Sequence, residues 1–151
     1  MKLHTIGYSG KTAQEFFELL KKNKIECLVD IRIYPNHDGA QYASKRDLPY
    51  LLKEIADCDY DYRIELAPTP KLLDDIHKDG DWDKYVAGYT QLMEEREIPF
   101  TLDKEFFEKQ ACCLLCFEAT AEQCHRRLVA ELWAAQIPEL TVVHLKRENA
   151  L

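Results

Sequence analysis

Apolar segments of strand length alternate with amphipathic helical segments along the chain, and this alternation constrains the fold most strongly. An alternating order of strands and helices predicts a three-layer α/β/α fold, with a mainly parallel sheet of about five strands and helices on both faces. The strand-like segments are "LHTIG" (3–7), "IECLVDIR" (25–32), "YDYRIEL" (60–66), "ACCLLCF" (111–117) and "LTVVHL" (140–145).

Helical periodicity covers the intervals 12–23, 47–56, 71–109 and 120–136, with breaks near 79–80 and Pro99 in the third. Thr12 with Glu15, and Thr120 with Gln123, have the spacing of capping boxes at helix starts. Within the third interval, Trp82, Tyr85 and Tyr89 share one helical face. We interpret this aromatic stripe as core packing rather than as a platform for stacking nucleic-acid bases.

Length and charge restrict the classes of function. A chain of 151 residues is expected to form one domain over 1–151. Its net charge of −7 does not favour general binding to nucleic acid or to anionic lipid. No apolar run approaches the roughly 20 residues that span a bilayer. Six cysteines without an export signal predict reduced thiols in the cytoplasm.

Polar side chains cluster at the ends of the predicted strands and at the start of the last long helix. Ligands of parallel α/β sheets bind beyond the carboxyl ends of the strands, so these residues are the candidate site. They are Gly7 and Ser9, Asp30 and Arg32, Cys116 and Glu118, and Cys124, His125 and Arg126.

Asp30 and Arg32 have two interpretations. Residues i and i+2 of a strand share a face, so the two side chains lie side by side. They form either an ion pair that ends a buried strand or an anion clamp in which Asp30 orients the guanidinium of Arg32. The two interpretations are compatible.

The cysteines divide by position. Cys27, Cys58, Cys112 and Cys113 are predicted to be small core residues. Cys116 at a strand exit and Cys124 in a first helical turn are the candidates for a nucleophile, although core packing is the alternative for both. A neighbouring carboxylate raises the pKa of a thiol, so Glu118 would be a poor activator of Cys116.

Cys113, Cys116, Cys124 and His125 are four side chains of the types that bind zinc. A C-x-x-C pair within a regular strand directs its thiols to opposite faces, and adjacent helical residues diverge by about 100°. We therefore predict neither a metal nor a cofactor. His125 and Arg126 fit anion binding at a helix N-terminus better, and His125 or Glu118 would carry a proton.

Three segments resemble the family called domain of unknown function 488. They are "TIGYSG", "LVDIR" and "LLCFEATAEQCHRRLVAE", which match a T-I-G-x-S start, a D-x-R strand end and a C-x-E…C-H-R signature. The resemblance implies a three-layer α/β fold without an established activity. The resemblance implies the same site that the positions of the strand ends predict: Gly7, Ser9, Asp30, Arg32, Cys116, Glu118, Cys124, His125 and Arg126. Pro35 and Tyr42 match a proline and an aromatic residue of that family's loop.

Three functions are compatible with these residues. The first is an enzyme, a hydrolase or transferase, that acts on a small anionic substrate such as a nucleotide or a phosphorylated metabolite. The second is a module that binds nucleic acid or protein through the loop 33–46 and the edge formed by Arg126 and Arg127. The third is a buried ionic network of Asp30, Arg32, Glu118 and Arg126 that only stabilises the sheet. The oligomeric state stays open.

Overall fold

A computed structural model describes residues 1–36, 40–98, 104–118, 121–122 and 124–147. It contains a five-stranded sheet whose paired strands are all parallel, in the order β3-β2-β4-β1-β5. The strands are β1 (Lys2–Gly7), β2 (Cys27–Asp30), β3 (Asp59–Tyr62), β4 (Cys112–Cys116) and β5 (Thr141–His144). The helices are α1 (Ala13–Lys22), α2 (Leu48–Ala56), α3 (Pro70–Asp79), α4 (Trp82–Glu95), α5 (Lys104–Lys109) and α6 (His125–Gln136).

Helices cover both faces of the sheet, which confirms the predicted three-layer architecture. On one face, Phe16 of α1 and Leu52 of α2 pack in a core with Leu28 of β2. On the other, α3 to α6 pack over Val29, because consecutive strand residues point to opposite faces. We call these the α1–α2 face and the α4–α6 face. None of the described helices is long and apolar enough to cross a membrane.

Local signals account for most helix starts. The capping box of α1 is present: Thr12 Oγ1 accepts from the Glu15 amide, and Glu15 Oε1 accepts from the Thr12 amide. Thr120 and Gln123, the second predicted box, lie outside the described residues. The last long helix, α6, begins at His125 rather than at 120, and Cys124 is its N-cap with extended backbone (φ −133°, ψ 142°).

The aromatic stripe of α4 packs in the core as predicted. Tyr85 and Tyr89 are buried, and Trp82 packs against the same core from a partly buried position. Their rings stack in succession, with centroids 5.4 Å apart for Trp82 and Tyr85 and 6.2 Å apart for Tyr85 and Tyr89. The stripe ends near the edge of the sheet that is formed by the carboxyl ends of the strands, which we call the carboxyl edge. There the ring of Tyr89 lies 5.9 Å from that of His125.

The centre of the carboxyl edge has no room for a side chain at position 7. A Cβ atom on Gly7 would overlap the carbonyl oxygen of Glu118 and Nη1 of Arg126. The chain that leaves β4 therefore crosses directly over the end of β1, and glycine at position 7 permits that close approach.

Replacing Gly7 by alanine should strongly destabilise the protein, because the backbone at Glu118 and the side chain of Arg126 would both have to move. The matched control is Gly80→Ala, where φ is +63° and the position is open. That change carries only the left-handed backbone penalty of about 1–2 kcal/mol. Urea denaturation of both variants tests the difference, and equal losses of stability would contradict the predicted overlap.

Candidate active site at the carboxyl edge

The predicted site residues meet at one edge of the sheet, at the ends of three neighbouring strands. Gly7 pairs with Cys116, and Asp30 pairs with Leu115. The pairing of β1 with β4 continues beyond the strands, since the Ser9 amide donates to the Phe117 carbonyl (2.9 Å). The side chains nevertheless separate into groups on opposite faces of the sheet.

Asp30 and Arg32 form a bidentate ion pair on the α1–α2 face. Nε of Arg32 donates to Oδ1 of Asp30, and Nη2 donates to Oδ2, both at 2.8 Å. Nη2 also donates to the carbonyl of Ala43 (2.7 Å). Asp30 is fully buried and Arg32 is 6% exposed. Burial opposes the charged guanidinium, but the bond to Asp30 and its charge outweigh this and raise the pKa of Arg32.

Two tyrosines of β3 complete this pair. The hydroxyl of Tyr60 donates to Asp30 Oδ2 (2.5 Å), and the hydroxyl of Tyr62 donates to the carbonyl of Arg32 (2.8 Å). Burial, reinforced by the charge of Asp30, raises the pKa of Tyr60. The ion-pair interpretation of Asp30 and Arg32 therefore describes the contacts. An anion-binding role for Arg32 stays a prediction.

Cys116, Cys124 and His125 converge on the α4–α6 face. Sγ of Cys116 lies 3.4 Å from Nδ1 of His125. Nε2 of the same ring lies 2.8 Å from the carbonyl oxygen of Ile31. A carbonyl only accepts, so Nε2 is the donor of this contact and Nδ1 is the ring nitrogen that faces the sulfur. The three donor atoms of this sulfur–imidazole cluster lie within 4.8 Å of one another, and all three residues are buried.

The surroundings of Cys116 lower the pKa of its thiol. Burial alone would raise that pKa, but the neighbouring thiol of Cys124, the charge of Arg126 and the amides of Phe117 and Glu118 together lower it. The pKa of Cys124 is raised, by burial first and then by its contact with Cys116. Of the two thiols, Cys116 is therefore the more acidic.

The N-cap position of Cys124 explains why adjacent residues converge. The expectation that Cys124 and His125 diverge around a helix is wrong, because Cys124 has extended backbone and precedes α6. The expectation about Cys113 and Cys116 agrees with the structure, since Cys113 packs into the core of the α1–α2 face. The cluster thus uses one sulfur from β4 and two neighbouring groups from the start of α6.

Glu118 contributes its main chain rather than its carboxylate to the buried edge. The residue is exposed, and its carbonyl accepts from Nη1 of Arg126 at 2.5 Å. The four-residue network of Asp30, Arg32, Glu118 and Arg126 is therefore not formed through side chains. A proton-carrying role for Glu118 stays a prediction.

Arg126 and Lys11 place two buried positive charges together, and sequence reasoning missed the second. Arg126 is 1% exposed and Lys11 is 8% exposed. Burial and the charge of Arg126 lower the pKa of Lys11, and the charge of Glu15, which is itself ion-paired with Arg147, opposes this only in part. Nε of Arg126 is buried and has no hydrogen-bond partner among the residues that the structure describes. Among the described carboxylates, none forms an ion pair with either residue.

Tyr42 holds the turn that carries Ser9 and Lys11. Its hydroxyl lies 3.2 Å from the carbonyl of Tyr8 and 2.9 Å from the carbonyl of Lys11, and donates to them. Burial raises its pKa to about 12, so the phenol remains protonated near neutral pH. The loop after β2 thus positions the loop after β1. The presence of an aromatic residue at position 42 did not by itself predict this contact.

A shallow depression of about 460 Å³ lies at the opposite, amino edge of the sheet, between Lys2, His4, Glu26 and Gln110. It includes none of the residues predicted from the strand ends. The candidate site is therefore defined by the convergence of reactive and charged groups, not by this depression.

Comparison with known proteins finds one matching family model. A family model described as Domain of unknown function DUF488 matches residues 12–133, which include both the D-x-R strand end and the C-x-E…C-H-R segment. No curated protein and no solved structure matches the chain significantly.

Replacing Asp30 by alanine should destabilise the protein by about 3–5 kcal/mol, because Arg32 would remain buried without its carboxylate. The matched control is Glu131→Ala, which removes the exposed partner of Arg127 and should cost less than about 1 kcal/mol. Chemical denaturation measures both. A loss below 1 kcal/mol for Asp30→Ala would show that the buried pair contributes little to folding.

Proposed function

The chain belongs to the DUF488 family, and for it we propose an enzymatic function on a small anionic substrate. The substrate would bind at the carboxyl edge, between the turn after β1 and the start of α6. The single observation that carries the proposal is the pair of buried cations Lys11 and Arg126, neither of which forms an ion pair with a described carboxylate.

A bound anion would resolve the electrostatic conflict between these cations. Like charges brought together in a buried position disfavour folding unless a counter-charge joins them. An anion between Lys11 and Arg126 would supply that charge and accept a hydrogen bond from Nε of Arg126. The first turn of α6 adds free amides and the positive end of the helix dipole, which favour phosphate-like groups.

The sulfur–imidazole cluster lies beside this anion site and would supply the reacting groups. Cys116 is paired in register with Gly7, over which Arg126 lies. The proximity of a polarised sulfur, an oriented imidazole and a cationic pocket is typical of hydrolases and transferases with acid–base or thiol chemistry. His125, whose ring is fixed by Ile31, is the strongest candidate for moving a proton.

The two other functions receive less support from the geometry. A basic binding edge needs exposed cations, whereas Arg126 is buried and Arg127 is ion-paired with Glu131 at 2.8 Å. A purely structural network accounts for Asp30 and Arg32 but leaves Lys11 and Arg126 without a carboxylate. The enzyme proposal accounts for both groups of residues.

Inorganic phosphate should stabilise the wild-type protein against heat, and Lys11→Met should weaken that effect. Loss of a charge-assisted hydrogen bond costs about 1.5–3 kcal/mol, which corresponds to a dissociation constant about 10–100-fold higher. Phosphate at about 100 times its dissociation constant stabilises by ~2.7 kcal/mol, or several degrees. The measurement is the melting temperature against phosphate concentration at constant ionic strength.

The stability of the free protein makes this variant informative. Folding lowers the pKa of Lys11 below 10.5, so its charge opposes folding at neutral pH, and Lys11→Met should melt at the same or a higher temperature. This difference should disappear as the pH rises through the folded-state pKa towards 10.5, where wild-type Lys11 loses its proton. The exposed Lys21→Met is the control and should respond to phosphate like the wild type. An unchanged phosphate response in Lys11→Met would overturn the proposed anion site.

A further inference from the structure

We infer that Cys116, Cys124 and His125 bind one thiophilic divalent cation, with zinc as the natural occupant. The inference deepens the proposed function by naming the cofactor of its reacting cluster: with the ion bound, Cys116 and His125 are its ligands, and the ion replaces them as the reacting group. It rests on the proposed function for the role of the metal. It does not depend on the contacts of Lys11.

The distances fit two ligands of one tetrahedral ion. Zinc binds thiolate sulfur at about 2.3 Å and imidazole nitrogen at about 2.0–2.1 Å, so tetrahedral ligands lie about 3.5 Å apart. Sγ of Cys116 and Nδ1 of His125 are separated by 3.4 Å. The second sulfur, on Cys124, belongs to the same group, in which one donor atom of each residue lies within 4.8 Å of the others.

The imidazole is held as a metal-ligating histidine is held. Metal-bound histidines commonly donate their other ring N–H to a carbonyl or carboxylate, which fixes the ring and directs the free lone pair at the ion. Nε2 of His125 has that arrangement with the carbonyl of Ile31, at 2.8 Å. The ring also packs against Tyr89, whose hydroxyl is tied to the carbonyl of Leu66 at 2.6 Å. Its orientation is therefore determined before any ion arrives.

Cys116 differs from the core cysteine Cys113 in what faces its sulfur. Sγ of Cys113 donates to the carbonyl oxygen of Leu114 at 3.8 Å, as a protonated thiol does. Sγ of Cys116 instead faces Nδ1 of His125 at 3.4 Å, and the other ring nitrogen of His125 is held by the carbonyl of Ile31. A sulfur beside an imidazole nitrogen held in this way is the arrangement of two ligands of one metal ion.

Three protein ligands correspond to a catalytic rather than a structural zinc site. Structural sites close the coordination sphere with four side chains, whereas catalytic sites use three and leave one position for water or substrate. Among the described residues, three donors form this group. Arg126 lies over Gly7, the register partner of Cys116, so an anion held by Arg126 and Lys11 would be close to the fourth position.

Zinc suits this donor set better than the harder cations do. Thiolates and imidazole select zinc and other soft ions, while magnesium and calcium require oxygen ligands. The described donors include two sulfurs and no carboxylate, since Glu118 is exposed. Magnesium should therefore not compete for the site.

The test is metal reconstitution of the full chain without a histidine tag. After treatment with a chelator and addition of zinc, desalted wild-type protein should retain one zinc per chain by mass spectrometry. With cobalt, it should show the visible bands of a tetrahedral ion and a thiolate-to-cobalt charge-transfer band. Cys116→Ser, Cys124→Ser and His125→Gln should each bind zinc at least about 100-fold more weakly, since loss of an outer orienting group alone costs about 10–100-fold.

Cys113→Ala is the matched control, because Cys113 is a buried cysteine of the same strand that faces away from the cluster. It should retain one zinc per chain. The cobalt spectrum of the wild type tests the site even where a variant fails to fold. The inference would be overturned if the wild type retained no zinc and showed no cobalt bands. It would also be overturned if a folded variant that combines Cys116→Ser, Cys124→Ser and His125→Gln kept its zinc.

The phosphate titration separates this inference from the proposed function. Zinc-loaded protein that does not respond to phosphate would support the metal site and overturn the anion site. A phosphate response in protein that binds no metal would overturn the metal site alone and leave Cys116 and His125 as the reacting groups.

Discussion

The structure of the carboxyl edge depends on the contacts of one guanidinium, that of Arg126. It comes from the first turn of α6, lies over Gly7 and donates to the carbonyl of Glu118. In this way one side chain connects the end of β1, the exit of β4 and the start of the following helix. The same charge acts on Cys116 and on Lys11. The structural and the proposed chemical roles of this residue are therefore inseparable.

The sheet separates two kinds of polar chemistry. On the α1–α2 face, Asp30 and Arg32 neutralise each other, and Tyr60 and Tyr62 complete their hydrogen bonds. On the α4–α6 face, the sulfurs and the imidazole have no carboxylate among their described contacts. A neutralised pair costs less to bury than single charges, which suits a structural role. A bound ligand would therefore contribute most to stability on the α4–α6 face, where charges are not neutralised.

Much of this arrangement could be predicted from sequence, because alternating segments predict a parallel sheet and a parallel sheet collects its strand ends at one edge. The strand order and the division into two faces required the three-dimensional structure. The convergence of Cys124 with His125 was missed because it depends on the backbone angle at the N-cap, which the apparent capping box at Thr120 did not reveal. Lys11 was missed because a single lysine after a glycine turn has no distinctive pattern.

The order of the strands also has a consequence for how the chain assembles. β4 lies between β1 and β2, yet more than half of the chain separates it from either in sequence. Until β4 is inserted, the two earlier strands have no common neighbour, and their inner edges remain unpaired. Such long-range insertion is slow and late in folding. The segment that completes the sheet also carries Cys116, so the central strand and the candidate site should appear in the same kinetic step, with no intermediate that has one without the other.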